Sequence, residues 1–136
     1  MPSKNVEIFN PEGLTPTMGY SHVAKVMGGT LVFIAGQVAA DAKGAIVGKG
    51  DFRGQVEQVF ANVKRAVEAA GGTFADIVKT NVYLVDSVPP ADIAIVREVR
   101  ARYVGSGKPP ASTLIVVSRL AAPDWLIEIE AVAAIG

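Results

Sequence analysis

A chain of 136 residues suits one domain and is long enough to bury a real core. Half of its residues are hydrophobic and 19% are charged, which excludes a disordered chain. Thirteen basic residues balance thirteen acidic ones with no basic cluster, so the electrostatic footprint of a nucleic-acid binder is missing; with no cysteine there is no disulfide, thiol nucleophile or thiolate metal site.

The N-terminal stretch MPSKNVEIFNPEG has no apolar core of a signal peptide, and no apolar run approaches a membrane span. A soluble, cytoplasmic protein is the expectation. Val6 to Phe9 reads as a short strand, followed by the turn Asn10-Pro11-Glu12-Gly13. His22 to Val26 alternates. Gly28-Gly29 then connects it to Thr30–Gly36, and the two runs read as a hairpin. The second run is apolar on both faces, the pattern of a central strand covered on both sides.

Asp51 to Gly72 is the clearest helix. Val56, Val59, Phe60, Val63 and Val67 recur at helical spacing, Asp51 can cap the start, and Gly71-Gly72 ends it. Asp76 to Asp86 follows as a strand with Val78, Thr80, Val82 and Leu84 on one face and Lys79, Asn81 and Tyr83 on the other. A second helix starts near Pro90 and stops at Gly105. STLIVVSRL and WLIEIEAVA are the last two strands. The order is β-β-β-α-β-α-β-β in a single domain, 1–136. It predicts an α+β sheet with both helices on one face. With no third helix, the natural cover for the other face is another subunit.

Catalytic motifs are scarce. One histidine, His22, and no cysteine leave too few of the usual zinc ligands, so no metal is expected. There is no G-x-S-x-G elbow, and no glycine set matches a dinucleotide or phosphate loop. His22 reads as a polar residue on a strand beside a turn. Glu128 and Glu130 stand out more. Two residues apart on a strand, they share a face among Ile127, Ile129 and Val132. In apolar surroundings such a carboxylate acts as general acid or base. The alternative is a wet face, or ion pairs across strands.

GYSHVAKV, LVFIAGQVA, QVEQVFANVKRAVEAAGGTFADIVKTNVYLVD and PPASTLIVVSRL…LIEIEAVA together resemble the Rid family, also called YjgF or endoribonuclease L-PSP. The likeness runs in order from about Phe9 to Ala133. It implies a chorismate-mutase-like fold and a homotrimer with a barrel-like core, helices outside and three clefts between subunits. It implies hydrolysis of reactive 2-imino or enamino acids to 2-keto acids and ammonia, with no metal or organic cofactor. Tyr20 then borders the cleft, Gly36 offers a backbone contact beside the ligand, and Glu128 positions the attacking water. Glu130 becomes its structural neighbour.

The same resemblance marks three departures. Imine-hydrolysing members carry an arginine in P-A-R-S that grips the substrate carboxylate as a two-pronged fork. Here the frame reads PAST, so Ser112 stands in that place, followed by Thr113. Ala35 replaces a serine before the G-Q, and Arg97 replaces an asparagine near the cleft. The implied substrate-binding set is Tyr20, Ala35, Gly36, Arg97, Ser112 and Thr113. Arg97 either takes over as carboxylate anchor or belongs to a charged outer helix face with Glu98, Arg100 and Arg102; the outer face is the reading favoured here. Two functions follow: a deaminase-type hydrolase, or a small-metabolite-binding or regulatory module using the same cleft without turnover. Neither calls for nucleic acid or membrane.

Overall fold

The structure is a computed structural model and describes residues 5–136, so the first four residues of the N-terminal reading lie outside the described residues. The strands are β1 (Val6–Phe9), β2 (Val23–Val26), β3 (Thr30–Gln37), β4 (Ile77–Val85), β5 (Ala111–Val117) and β6 (Ile127–Ile135). The helices are α1 (Phe52–Ala69), before β4, and α2 (Ile93–Val104), before β5. This is the expected β-β-β-α-β-α-β-β order. Short 3-10 turns, Phe74–Asp76 and Pro90–Asp92, lead into β4 and α2. Among the described residues no helix is long and apolar enough to cross a membrane.

Four strands form one sheet in the order β3-β6-β4-β5. β6 runs antiparallel to both its neighbours, and β4 and β5 are parallel across the α2 crossover. Both helices pack on one face. The core joins Val56, Val59, Phe60, Val63 and Val67 of α1 and Val96 and Val99 of α2 to Val82, Leu84, Ile127, Ile129, Ala131 and Ala133 of the sheet.

Two expectations are corrected. β2 pairs with β1, Val6 opposite Val26, and not with β3. Gly28-Gly29 carries the chain between two separate sheets instead of closing a hairpin. Gly29 sits at φ 92°, and a Cβ there would lie 2.7 Å from the Ile135 carbonyl oxygen, so glycine is required. β3, for its part, is an edge strand and not a central one. Val32 and Ile34 face the core, whereas Phe33 is 75% exposed on the other side. The pattern is apolar on both faces, but the protomer covers only one.

Asp51 caps α1, its Oδ1 accepting from the Gly54 N–H at 3.0 Å. One turn in, Gln55 is fully buried. Its Nε2 donates to the carbonyls of Gly48 (3.1 Å) and Asp124 (3.0 Å), and its Oε1 accepts from the Leu126 N–H (2.9 Å). One amide therefore ties the loop before α1 and the loop before β6 to the helix. Gln55→Leu keeps the volume and strands these groups. It should lower the unfolding free energy by about 2–4 kcal/mol. Urea denaturation with an unchanged slope is the check; an unshifted midpoint would show that the clamp carries no stability.

Candidate functional site

Of the residues expected at the site, Tyr20, Arg97, Ser112 and Thr113 line one cavity of about 490 Å³ between α2, the start of β5 and the segment before β2. Ser21 fixes that segment. Its hydroxyl donates to the Pro109 carbonyl (2.6 Å) and its N–H to the Pro110 carbonyl (3.0 Å). Tyr20 is thereby held beside the entrance to β5. Its ring meets His22 edge-on, centroids 5.6 Å apart. The His22 Nε2 lies 2.7 Å from the Thr15 carbonyl oxygen, and its backbone N–H donates to Asn10 Oδ1. His22 precedes β2 and lines the same cavity, a role its lone place in the sequence did not reveal.

Ser112 lies opposite Thr80 in the parallel β4–β5 register, and its Oγ accepts from the Thr80 hydroxyl at 2.8 Å. Thr80 is buried on the helix side of the sheet. Thr113 borders the cavity too, but its hydroxyl accepts from Lys79 Nζ (2.8 Å), so its polar atom is already engaged.

Glu128 and Gly36 meet elsewhere. They share a shallow cleft of about 380 Å³ with Tyr83, Arg119 and Glu130. The β3–β6 register jumps between Ile34 and Gln37, three residues against two, which puts a bulge at Ala35–Gly36. The Ala35 carbonyl there accepts from Gln37 Nε2 (3.0 Å). A Cβ on Gly36 would stand 2.8 Å from Glu128 Cδ: the carboxylate lies over a bare α-carbon that no other residue offers. Glu130 accepts from the Tyr83 hydroxyl in a short hydrogen bond and from Asn81 Nδ2 at 3.3 Å. That bond, more than any other influence, pushes the Tyr83 pKa up; burial adds to it.

The two groups do not meet within one protomer. β4 separates β5 from β6, and Ser112 looks to the helix side while Glu128 looks to the open side.

The cavity also holds Arg100, unforeseen as a site residue. It is 6% exposed. Nη2 donates to the Met18 carbonyl at 3.3 Å, and Nε is buried with no partner. A Cβ on Gly19, which sits at φ 77°, would approach Nη2 to 3.1 Å, so the absence of a side chain there makes the space. No acidic residue lines the cavity. Burial, reinforced by the charge of Arg97, lowers the Arg100 pKa from its usual value. The outer-face reading of α2 is correct for half its charges. Glu98 pairs with Arg53 (2.8 Å) and Arg102 with Glu57, both on α1. Arg97 and Arg100 face the cavity instead. Arg100 falls on the stripe Ile93, Val96, Arg100, Tyr103, the 3-4-3 spacing of an inward helix face, and that spacing is the signal that finds it.

A larger hollow, about 600 Å³, opens between α1 and the segment after β3. Much of its polar lining is spent on its own structure. Asn62 Nδ2 donates to the Val38 and Ala40 carbonyls, Gln58 donates to Asn62, and Asp41 accepts from the N–H groups of Lys43 and Ala45.

Residues 11–135 match the model of the family described as Endoribonuclease L-PSP. A RutC family protein of Pyrococcus horikoshii is 43% identical over 126 residues, 93% of this chain and 94% of its own. Among solved structures, YyfB of the Rid protein family from Yersinia pestis, a protein of unknown function, superposes with a TM-score of 0.89 at 40% identity, covering 96% of this chain and 99% of that one. RidA from an Antarctic Psychrobacter superposes with a TM-score of 0.68 at 31% identity over 98% and 100% of the two chains. The fold is that of the Rid/YjgF proteins. This chain belongs to the endoribonuclease L-PSP family, as the Rid proteins do.

In an absorbance titration Tyr83 should ionise above the ordinary tyrosine value of about 10. A raised folded-state pKa contributes stability that is complete below pH ~10 and fades as pH rises through the folded value. The stability gap between wild type and Tyr83→Phe should therefore be flat near neutrality and shrink in strong alkali. An unchanged gap at high pH would show that the bond to Glu130 does not govern the titration.

Proposed function

We propose that this protein is a homotrimeric, metal-free hydrolase of small reactive imines or enamines, with each cleft shared by two subunits. One observation carries the reading: the residues that the family resemblance assigns to one site lie in two separate half-sites, one at the β5 edge of the sheet and one over β3 and β6. The open sheet face supports it. Leu31, Phe33, Ile115 and Val116 are all exposed there or at the sheet edge, more apolar surface than a monomer ordinarily leaves to water. Burying this face against neighbours brings the Gly36–Glu128 cleft of one subunit to the Tyr20–Ser112 cavity of the next.

In this reading Glu128 takes a proton from a water held in the cleft. The oxygen attacks the C=N carbon, the nitrogen gains protons and leaves as ammonia, and a carbonyl compound remains. The Gly36 backbone borders the reacting group, and Tyr20 and Ser112 shape the pocket. Ser112 has no charge and cannot replace a guanidinium fork. That keeps a second reading in play, a cleft that holds a small metabolite without breaking a bond.

An amino-acid oxidase can generate 2-imino acids in place, with semicarbazide trapping what escapes hydrolysis. Wild type should suppress the trapped product. Glu128→Gln should lower the rate by about 10²-fold or more, the usual range for a general base. Gly36→Ala should do nearly as much by displacing the carboxylate. A wild type inert on every imine, yet binding keto acids, would establish the binding module instead.

The assembly has its own check. Phe33→Glu puts a charge on the face proposed to be buried. Light scattering should show wild type at three times the protomer mass and the variant at lower mass, with its helical circular dichroism kept. A wild type of protomer mass would end the shared-cleft picture.

A further inference from the structure

We infer that the cavity between α2 and β5 is built for a small dicarboxylate, with Arg100 gripping its inner carboxylate and Arg97 its outer one. The inference takes this cavity to be the substrate half of the cleft proposed above and names the ligand class it selects.

The argument starts from a charge without a counter-charge. A guanidinium is retained inside a protein when carboxylates or a hydrogen-bond network satisfy it. Arg100 has a single long bond to the Met18 carbonyl, and its Nε is buried with no hydrogen-bond partner. Gly19 supplies the room that this side chain occupies. Every acidic residue of the neighbouring helix surface is engaged elsewhere or lies outside the lining: Glu98 is held by Arg53 and Glu57 by Arg102. A fork with free donors in a recess is the geometry that receives a planar carboxylate.

Arg97 adds the second charge. It lies one turn before Arg100 on the same helix face, is exposed, and makes no ion pair among the described residues. Two cations and no anion line a recess of about 490 Å³, a volume that suits a small metabolite. Ile93, Val96 and Leu114 line the same recess, an apolar wall for a short carbon chain. Ser112 and Tyr20 offer hydroxyls to a group between the acids. The positive charge that Ser112 on β5 cannot supply thus comes from α2.

The test reads binding and needs no turnover. Isothermal titration of the intact protein with 2-oxoglutarate and with 2-oxobutyrate compares two charges with one on similar frames. Wild type should bind 2-oxoglutarate about tenfold more tightly, and its affinity should fall as salt rises. Arg100→Met should weaken 2-oxoglutarate by about thirtyfold or more. Its melting temperature should hold or rise, because an apolar side chain replaces an unpaired buried charge. Arg100→Lys, which keeps the charge without the fork, should bind at an intermediate level. Arg97→Ala should bring the two ligands to equal affinity. Equal binding by wild type and Arg100→Met would overturn the inference. So would a folded wild type that binds neither acid, or one that binds both alike. An inert imine assay with Arg100-dependent binding would sink the hydrolase reading and leave this one standing.

Discussion

The structure depends on the period-two alternation of β6. Between β3 and β4, this strand sends Ile127, Ile129, Ala131 and Ala133 into the core and Glu128 and Glu130 to the open face. A slip of one residue would drive two carboxylates under the helices, so the register is fixed by the cost of burying charge. The flanking strands adapt to β6 rather than the reverse. β3 bulges at Ala35–Gly36 and β4 is irregular between Ile77 and Lys79. The first bulge lies against Glu128. A rule that decides what is buried therefore also delivers a carboxylate to a bare glycine backbone.

The two helices and the central strands were legible because their signals are local. The valine spacing of α1, its Asp51 cap and its glycine end are complete within one segment, and the polar face of β4 alternates cleanly. The errors have a common source. β2 stands next to β3 in sequence across a Gly-Gly pair that looks like a hairpin turn, yet its partner is β1, beyond the Asn10–Tyr20 segment. Strand pairing at that distance leaves no local trace. β3 read as central because Leu31, Phe33 and Ala35 are apolar. That pattern encodes cover but not whose cover it is.

The site was legible only in part, for a related reason. Tyr20, Ser112 and Thr113 do share a cavity, and Glu128 does lie over Gly36, but sequence order does not say that the two sets form separate clefts at different strands of the sheet. Arg100 was missed because REVRAR looks like one charged face. Two stripes run through it. Glu98 and Arg102 reach across to α1, and Arg97 and Arg100 look the other way. Only the packing partner of each stripe separates them, and packing is not a property of the segment alone.

Arg100 also bears on the division of labour in the proposed assembly. A guanidinium without a counter-charge at 6% exposure opposes folding, by roughly several kcal/mol even after relaxation and water access. Such a cost is retained where the group does something an apolar residue cannot. The cations and hydroxyls of the cavity all come from one protomer, whereas the carboxylate that would activate water sits on another face. Binding and bond cleavage are then separable by design. A lone subunit would hold an acidic ligand without acting on it, and association would add the base. Capture of the ligand would depend on α2, and its fate on the open face of the sheet.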